Sequence, residues 1–343
     1  MNGPMTEVLQ PNKVDPWDAL TVLSPTAYRY PFLALLKRDK KPIGLETQWP
    51  VMDILRGALT GRAEGLDFGE ADWKSQGRDK LKAVSQKFAE AWKVTTEAEV
   101  TDTHGVPDEV KFQKAQALER MKAKMEARFL SDGDCSRENA TDKVNELRGL
   151  FRWLEPSAAS LNAEYPIGDA YRVDSDCSYS GTLADLKPTT FRDLLVAASL
   201  QREQDHAFDL YAGLKLKTHM SGWGEYTPDA TETYVPLKRF MTNASDKSYL
   251  SQIDFFQFDA ARVRAHVHYR LLCDLATGAK SAYSDMSGAL LDMDAWRIAF
   301  NLELRAVPLP NLGGGQRGGY EAICMLKCRM PAGQVRLMIN EAS

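Results

Sequence analysis

The residues predict an α+β fold, on three observations. Lys80 to Thr101 is rich in β-branched and aromatic side chains and reads as a long strand, broken at His104-Gly-Val-Pro107. A long helix is expected next, over residues 108–131. The second half then sets one clear helix, Thr190 to Glu203, among many strand-like runs, which indicates a mixed α+β layout. A long strand followed by a thin helix makes a beam more than a compact core.

Taken in order, residues 1–40 form an arm. Pro4, Pro11, Pro16, Pro25 and Pro31 leave room only for short turns or helices, and such a terminus needs a partner or a neighbouring subunit to order it. The Lys37-Arg-Asp-Lys-Lys41 cluster reads as a solvated turn in preference to a phosphate contact. Residues 41–77 read as an extended hairpin: Leu45, Thr47 and Trp49 alternate with Glu46 and Gln48, Asp72 to Gln76 returns beside them, and Gly57, Gly61, Gly65 and Gly69 loosen the tip. A lone hairpin is marginal, so this one must lie on something else, another subunit included.

In the helix, Pro107 suits the first position, Asp108 and Glu109 the positive end of the dipole, and Arg120, Lys122, Lys124 and Arg128 the negative end. Its apolar stripe is Leu118, Met121, Met125 and Phe129. Leu147 to Leu154 is a compact apolar run, and Ser157 to Thr190 reads as a polar insertion. The second helix has Thr190 as cap and Phe191, Leu194, Leu195, Ala198 and Leu200 as its buried face. Strands are expected at Phe208 to Leu216, Tyr234 to Phe240, Ile253 to Phe258, Arg262 to Leu272, Arg297 to Val307, Tyr320 to Met330 and Val335 to Ile339.

Composition narrows the function. The 343 residues are 44% hydrophobic and 26% charged, as in an ordinary globular protein, and the net charge of -4 implies no tight non-specific hold on nucleic acid. The first residues lack a basic start followed by an apolar run and no later run reaches membrane-spanning length, so synthesis in the cytoplasm and no membrane partner are expected. Cys135, Cys177, Cys273, Cys324 and Cys328 contain no Cys-x-x-Cys pair and read as reduced, small hydrophobic side chains.

No constellation points to catalysis. His266 and His268 would share a strand face, but Arg262, Arg264 and Arg270 on that face would repel a divalent cation. A basic face for carboxylates or phosphate fits better. Glu203-Gln-Asp-His206 lacks the His-Glu-x-x-His spacing and reads equally well as a helix end. Gly313-Gly-Gly-Gln-Arg-Gly-Gly319 has no Lys-Ser/Thr and precedes a strand, so it is a hinge and not a phosphate loop. We therefore expect no catalytic, cofactor-binding or metal-binding residue.

The order Ser24-Pro-Thr-Ala-Tyr-Arg-Tyr-Pro-Phe32, Glu46-Thr-Gln-Trp49 with Asp53, and Glu64-Gly65 resembles the start of the major capsid proteins of tailed bacteriophages. Lys80 to Phe88, Val94-Thr-Thr-Glu-Ala, Asp102-Thr-His-Gly-Val, Phe129-Leu-Ser-Asp132 and Arg148-Gly-Leu-Phe-Arg-Trp-Leu154 continue the resemblance. It implies the Hong Kong 97 capsid fold: an N-terminal arm (1–40), an extended hairpin loop (41–77), a peripheral domain (78–150) with its spine helix at 108–131, an axial domain (151–312) and a strand returning to the peripheral domain (313–343). It also implies self-assembly in hexamers and pentamers into an icosahedral shell around double-stranded DNA. Partners implied with it are a separate scaffolding protein, a portal, a cement protein and weak, non-specific contact with packaged DNA. No long charged helix precedes the arm, so a scaffolding domain within this chain is not expected. No lysine, asparagine and glutamate trio matches the cross-link known in one branch of the fold. Two rivals are a cellular encapsulating compartment built on the same fold, and a soluble α+β enzyme with a site near His206 or His266.

Overall fold

The computed structural model describes residues 31–52, 64, 78–100, 108–204, 206–223, 255–257, 261–311 and 313–339. The arm before Pro31, the hairpin tip and the strand expected at Tyr234 to Phe240 lie outside them. In chain order the first half holds α1 (Pro31–Leu35), β1 (Lys37–Arg38), β2 (Glu46–Val51), β3 (Asp79–Val84), β4 (Gln86–Val94), α2 (Thr96–Val100), α3 (Glu109–Phe129) and α4 (Leu150–Trp153). The second half holds β5 (Ser178–Gly181), α5 (Pro188–Arg202), β6 (His206–Ala212), α6 (Leu214–Gly222), β7 (Phe255–Gln257), β8 (Ala261–Val267), β9 (Gly288–Leu291), β10 (Trp296–Pro308), β11 (Gln316–Cys328) and β12 (Val335–Ile339).

Among the described residues three sheets form. One has four strands in the order β1-β10-β11-β4, one has six in the order β5-β12-β9-β6-β8-β7, and β2 pairs with β3 alone. The stretch expected as one strand from Lys80 is two, because the chain changes sheets at Ser85. β3 faces β2, β4 faces β11, and buried Ser85 bonds Leu45 O through its N–H and Asn301 through its hydroxyl. Its end is not strand at all but α2. The expected return strand of the hairpin at Asp72 to Gln76 lies outside the described residues; the partner of β2 is β3, with Trp49 opposite Leu81.

Helix α3 starts at Glu109, one residue later than expected, because the Asp108 carboxylate caps it by accepting from Lys111 N–H at 2.9 Å. It packs on β4 and β11 through Ala117, Met121, Met125 and Phe129; Leu118 is only half-buried and Ala117 takes its place. In α5 the first helical residue is Pro188 with Lys187 as the cap, so Thr190 lies within the helix. Phe191, Leu194, Leu195 and Ala198 are buried as the periodicity predicts, but Leu200 is 70% exposed.

The other strand boundaries also shift. The run expected to continue to Leu216 turns at Gly213 into α6, and glycine is required there because a Cβ would stand 2.4 Å from Asp285 O. The segment 313–339 is not one return strand: β11 completes the four-stranded sheet, whereas β12 inserts between β5 and β9 of the six-stranded one. One continuous apolar cluster joins both sheets, from Phe32, Trp49 and Leu81 through Phe129, Trp153 and Trp296 to Leu290 and Leu337. No described helix is long and apolar enough to cross a membrane.

Candidate functional site

Three segments far apart in sequence meet at one side chain, Glu126 of α3. Its carboxylate is fully buried and accepts the N–H of Phe32 (3.0 Å, Oε1) and of Leu33 (2.8 Å, Oε2), the first free amides of α1. His268 Nε2 lies 2.9 Å from Oε1, and Arg270 N–H donates to His268 Nδ1 at 3.0 Å. Because Nδ1 accepts, the ring proton is on Nε2 and His268 donates to the carboxylate. Phe32, itself buried, packs edge-on against Tyr211 at 5.5 Å and Trp296 at 6.4 Å. After α1, β1 adds to the four-stranded sheet beside β10. Burial pushes the Asp39 carboxyl up, but Lys327 at 2.6 Å and the Lys40 N–H outweigh that and hold it below the usual range.

Of the basic cluster expected as a solvated turn, Lys37 and Arg38 form β1 and pair with Asp294 and Glu303, whereas Lys40 and Lys41 are exposed and outside the strand. At the root of the hairpin, Trp49 packs on Trp153 with ring centroids 5.9 Å apart and carries the Lys327 ammonium 4.9 Å above its face. Arg148, fully buried, stacks on Trp153 at 5.0 Å while bonding Asp134 (2.6 Å) and Tyr165 O (2.7 Å). Next to these anchored inner faces stand outward apolar ones. Ile43 is fully exposed, and Met52 and Leu45 are 43% and 39% exposed.

The two candidate histidines are not a pair. His266 turns to Asp209, 3.0 Å away, and stacks on Tyr211, whereas His268 lies past the end of β8, leaves the alternation and turns inward to Glu126. Arg262 and Arg264 stay on the exposed face. The side chain of His206 lies outside what is described. Among the described residues no group of three or more His, Cys, Asp or Glu could hold a metal ion. The five thiols are buried, which pushes Cys135, Cys177 and Cys328 up to about 12 and Cys324 further up, so none is a poised nucleophile. Gly313, Gly314 and Gly315, all at positive φ, turn β10 back into β11, so the hinge expected at Gly313 to Gly319 is a hairpin turn running into a strand. The Glu126–His268 pair escaped the sequence reading, because one acid in a helix full of charges carries no mark of burial.

A family model described as SU10 major capsid protein matches residues 6–339 of the chain. No curated protein matches it. Among solved structures, the capsid of cyanophage A-1(L) is similar with a TM-score of 0.59 at 13% identity, over 98% of this chain and 99% of that one. The capsid of cyanophage P-SCSP1u gives 0.58 at 10% identity, over 99% and 96%. The capsid of the native GTA particle gives 0.56 at 12%, over 97% and 96%. At such identities the likeness is one of fold.

Proposed function

The chain belongs to the SU10 major capsid protein family, and from that premise we propose that its arm and its extended hairpin are the parts by which its copies hold one another. It is a shell-forming major capsid protein of a tailed phage, with the Hong Kong 97 fold that the resemblance implied, and its place is the virion. The viral shell is thus preferred to a cellular compartment or a soluble enzyme.

The finer assignment is by segment. Residues 1–40 are the arm, 41–77 the hairpin loop, 78–150 the peripheral domain around α3 and 151–312 the axial domain, while 313–343 return the chain to the sheet of β4 only through β11. The chain crosses between the two larger sheets from β9 to β10 and again from β11 to β12. Subunits close around five-fold and six-fold axes as pentamers and hexamers through heterologous contacts. A separate scaffolding protein, a portal and a cement protein complete the assembly, and the inner surface meets packaged double-stranded DNA weakly, in keeping with a net charge of -4. Binding is the chemistry in this proposal, with no catalytic, cofactor or metal residue. His266 and His268 support that by committing ring nitrogens to Asp209 and Glu126.

The observation that carries the intersubunit reading is the hairpin. Among the described residues β2 and β3 form a sheet of two strands, anchored inward by Trp49 and Leu81 but bordered outward by exposed Ile43, Leu45 and Met52. A two-stranded ribbon with an apolar border gains stability when a neighbour covers it. Deleting Gly57 to Gly69 should leave a subunit that folds but assembles poorly. Light scattering after size-exclusion chromatography and negative-stain microscopy would check this, and normal shells from the deletion would refute the assignment of the hairpin.

A further inference from the structure

We propose that Glu126 is the positioning residue for the root of the N-terminal arm: its buried carboxylate fixes the position and orientation of α1, and His268 holds that carboxylate in line. The proposal rests on the reading that the arm serves neighbouring subunits.

The argument begins with the amides. A five-residue helix such as α1 cannot stabilise itself, because nearly all its N–H groups lack intrahelical partners. The N–H groups of Phe32 and Leu33 go to the two different oxygens of Glu126, so both the position and the orientation of the first turn are set by one planar group. Pro31, with no N–H to satisfy and φ preset, stands at the first position of that turn.

A fully buried carboxylate is tolerated only when its lone pairs are used. The third donor, His268 Nε2, supplies this from the first residue after β8. His268 is locked in turn from two sides: its N–H donates to Ala212 O at 2.8 Å, and its Nδ1 accepts Arg270 N–H. Its ring also packs beside Tyr211 at 6.5 Å. The chain of contacts therefore runs from the six-stranded sheet through His268 and Glu126 to the arm root, and the spine helix is its rigid middle. Phe32 alone would fix the root in depth through its aromatic contacts but would leave the helix free to rotate about that side chain; the two amide bonds remove the rotation.

The test is amide exchange, followed by mass spectrometry, on the full chain carrying Glu126→Ala or Glu126→Gln. Peptides covering residues 31–36 should exchange about tenfold faster in Glu126→Ala, while those covering 206–212 and 261–267 keep the parent rate. Glu126→Gln, which retains one acceptor oxygen, should fall between parent and Ala, and it carries the test where Ala does not fold. Unchanged exchange at 31–36, or a rise spread evenly over the chain, would overturn the proposal, since an even rise is what mere loss of stability produces. Particle yield is measured in parallel and reports on the other reading. Faster local exchange with a full yield of shells would leave the anchor standing and refute the role of the arm between subunits.

Discussion

The three consecutive glycines that turn β10 back into β11 differ in what holds them. Gly313 and Gly314, at φ 87° and 85°, have nothing within 4 Å of where a Cβ would stand, whereas a Cβ on Gly315, at φ 114°, would lie 1.9 Å from Val94 O. Gly314→Ala should therefore cost only the unfavourable backbone region, about 1 kcal/mol. Gly315→Ala adds a collision with the end of β4 that no side chain can relieve, and should cost about 3 kcal/mol or more. Urea unfolding of the two variants separates these terms, and equal losses would contradict the steric argument. The sequence announces a flexible turn by its run of glycines, but not which one touches another strand, because that depends on β4, more than two hundred residues earlier. The same limit hides Glu126, whose partners lie 94 and 142 positions away.

At the scale of elements, the spine helix was largely legible and its grip on the sheet was not. The spacing of Met121, Met125 and Phe129 marks the buried stripe, because periodicity is local. Arg120 and Lys124 read as charges complementing the helix dipole, yet both reach across to Glu90 of β4, Arg120 at 2.9 Å. Burial pushes the Glu90 carboxyl up, but the bonds from Lys124 and Arg120 outweigh it and hold it below the ordinary glutamate range. A carboxylate whose folded pKa is depressed contributes stability that is present above the unfolded value and is lost as pH falls through the folded one. Denaturant unfolding should thus show the parent losing the advantage it holds over Glu90→Gln as pH drops from neutral to below the glutamate range. At neutral pH the difference should be about 1 kcal/mol or less, since Arg120 and Lys124 are half-exposed. A gap that stays constant with pH would show that the clamp acts by packing and not by charge. Hairpin β2–β3 was legible in half: the alternation around Trp49 gives β2, but its partner is the start of the long strand, and only the sheet change at Ser85 reveals it.

For the whole molecule, the question is which surfaces the shell covers. Helix α5 answers for the six-stranded body, because its inner face is saturated while one edge of its outer face carries exposed apolar side chains. Arg192, Val196 and Leu200 follow one another at one-turn spacing, with Val196 40% and Leu200 70% exposed, so the sequence reading that buried Leu200 within the subunit misassigned a face turned outward. An isolated exposed leucine needs no explanation, but two apolar residues stacked along one helix edge suit a neighbour packed against it. Val196→Asp combined with Leu200→Glu replaces that edge with charge while touching none of Phe191, Leu194, Leu195 and Ala198. Because the changes are at exposed positions, the unfolding free energy of the isolated subunit should stay within about 0.5 kcal/mol of the parent, with its midpoint all but unchanged. Particle yield, measured by light scattering under assembly conditions, should fall at least about tenfold, since burying two unpaired carboxylates at each repeated contact opposes closure of the shell. Full yield with an unchanged midpoint would place the α5 edge on open surface and move the intersubunit contacts of this body elsewhere.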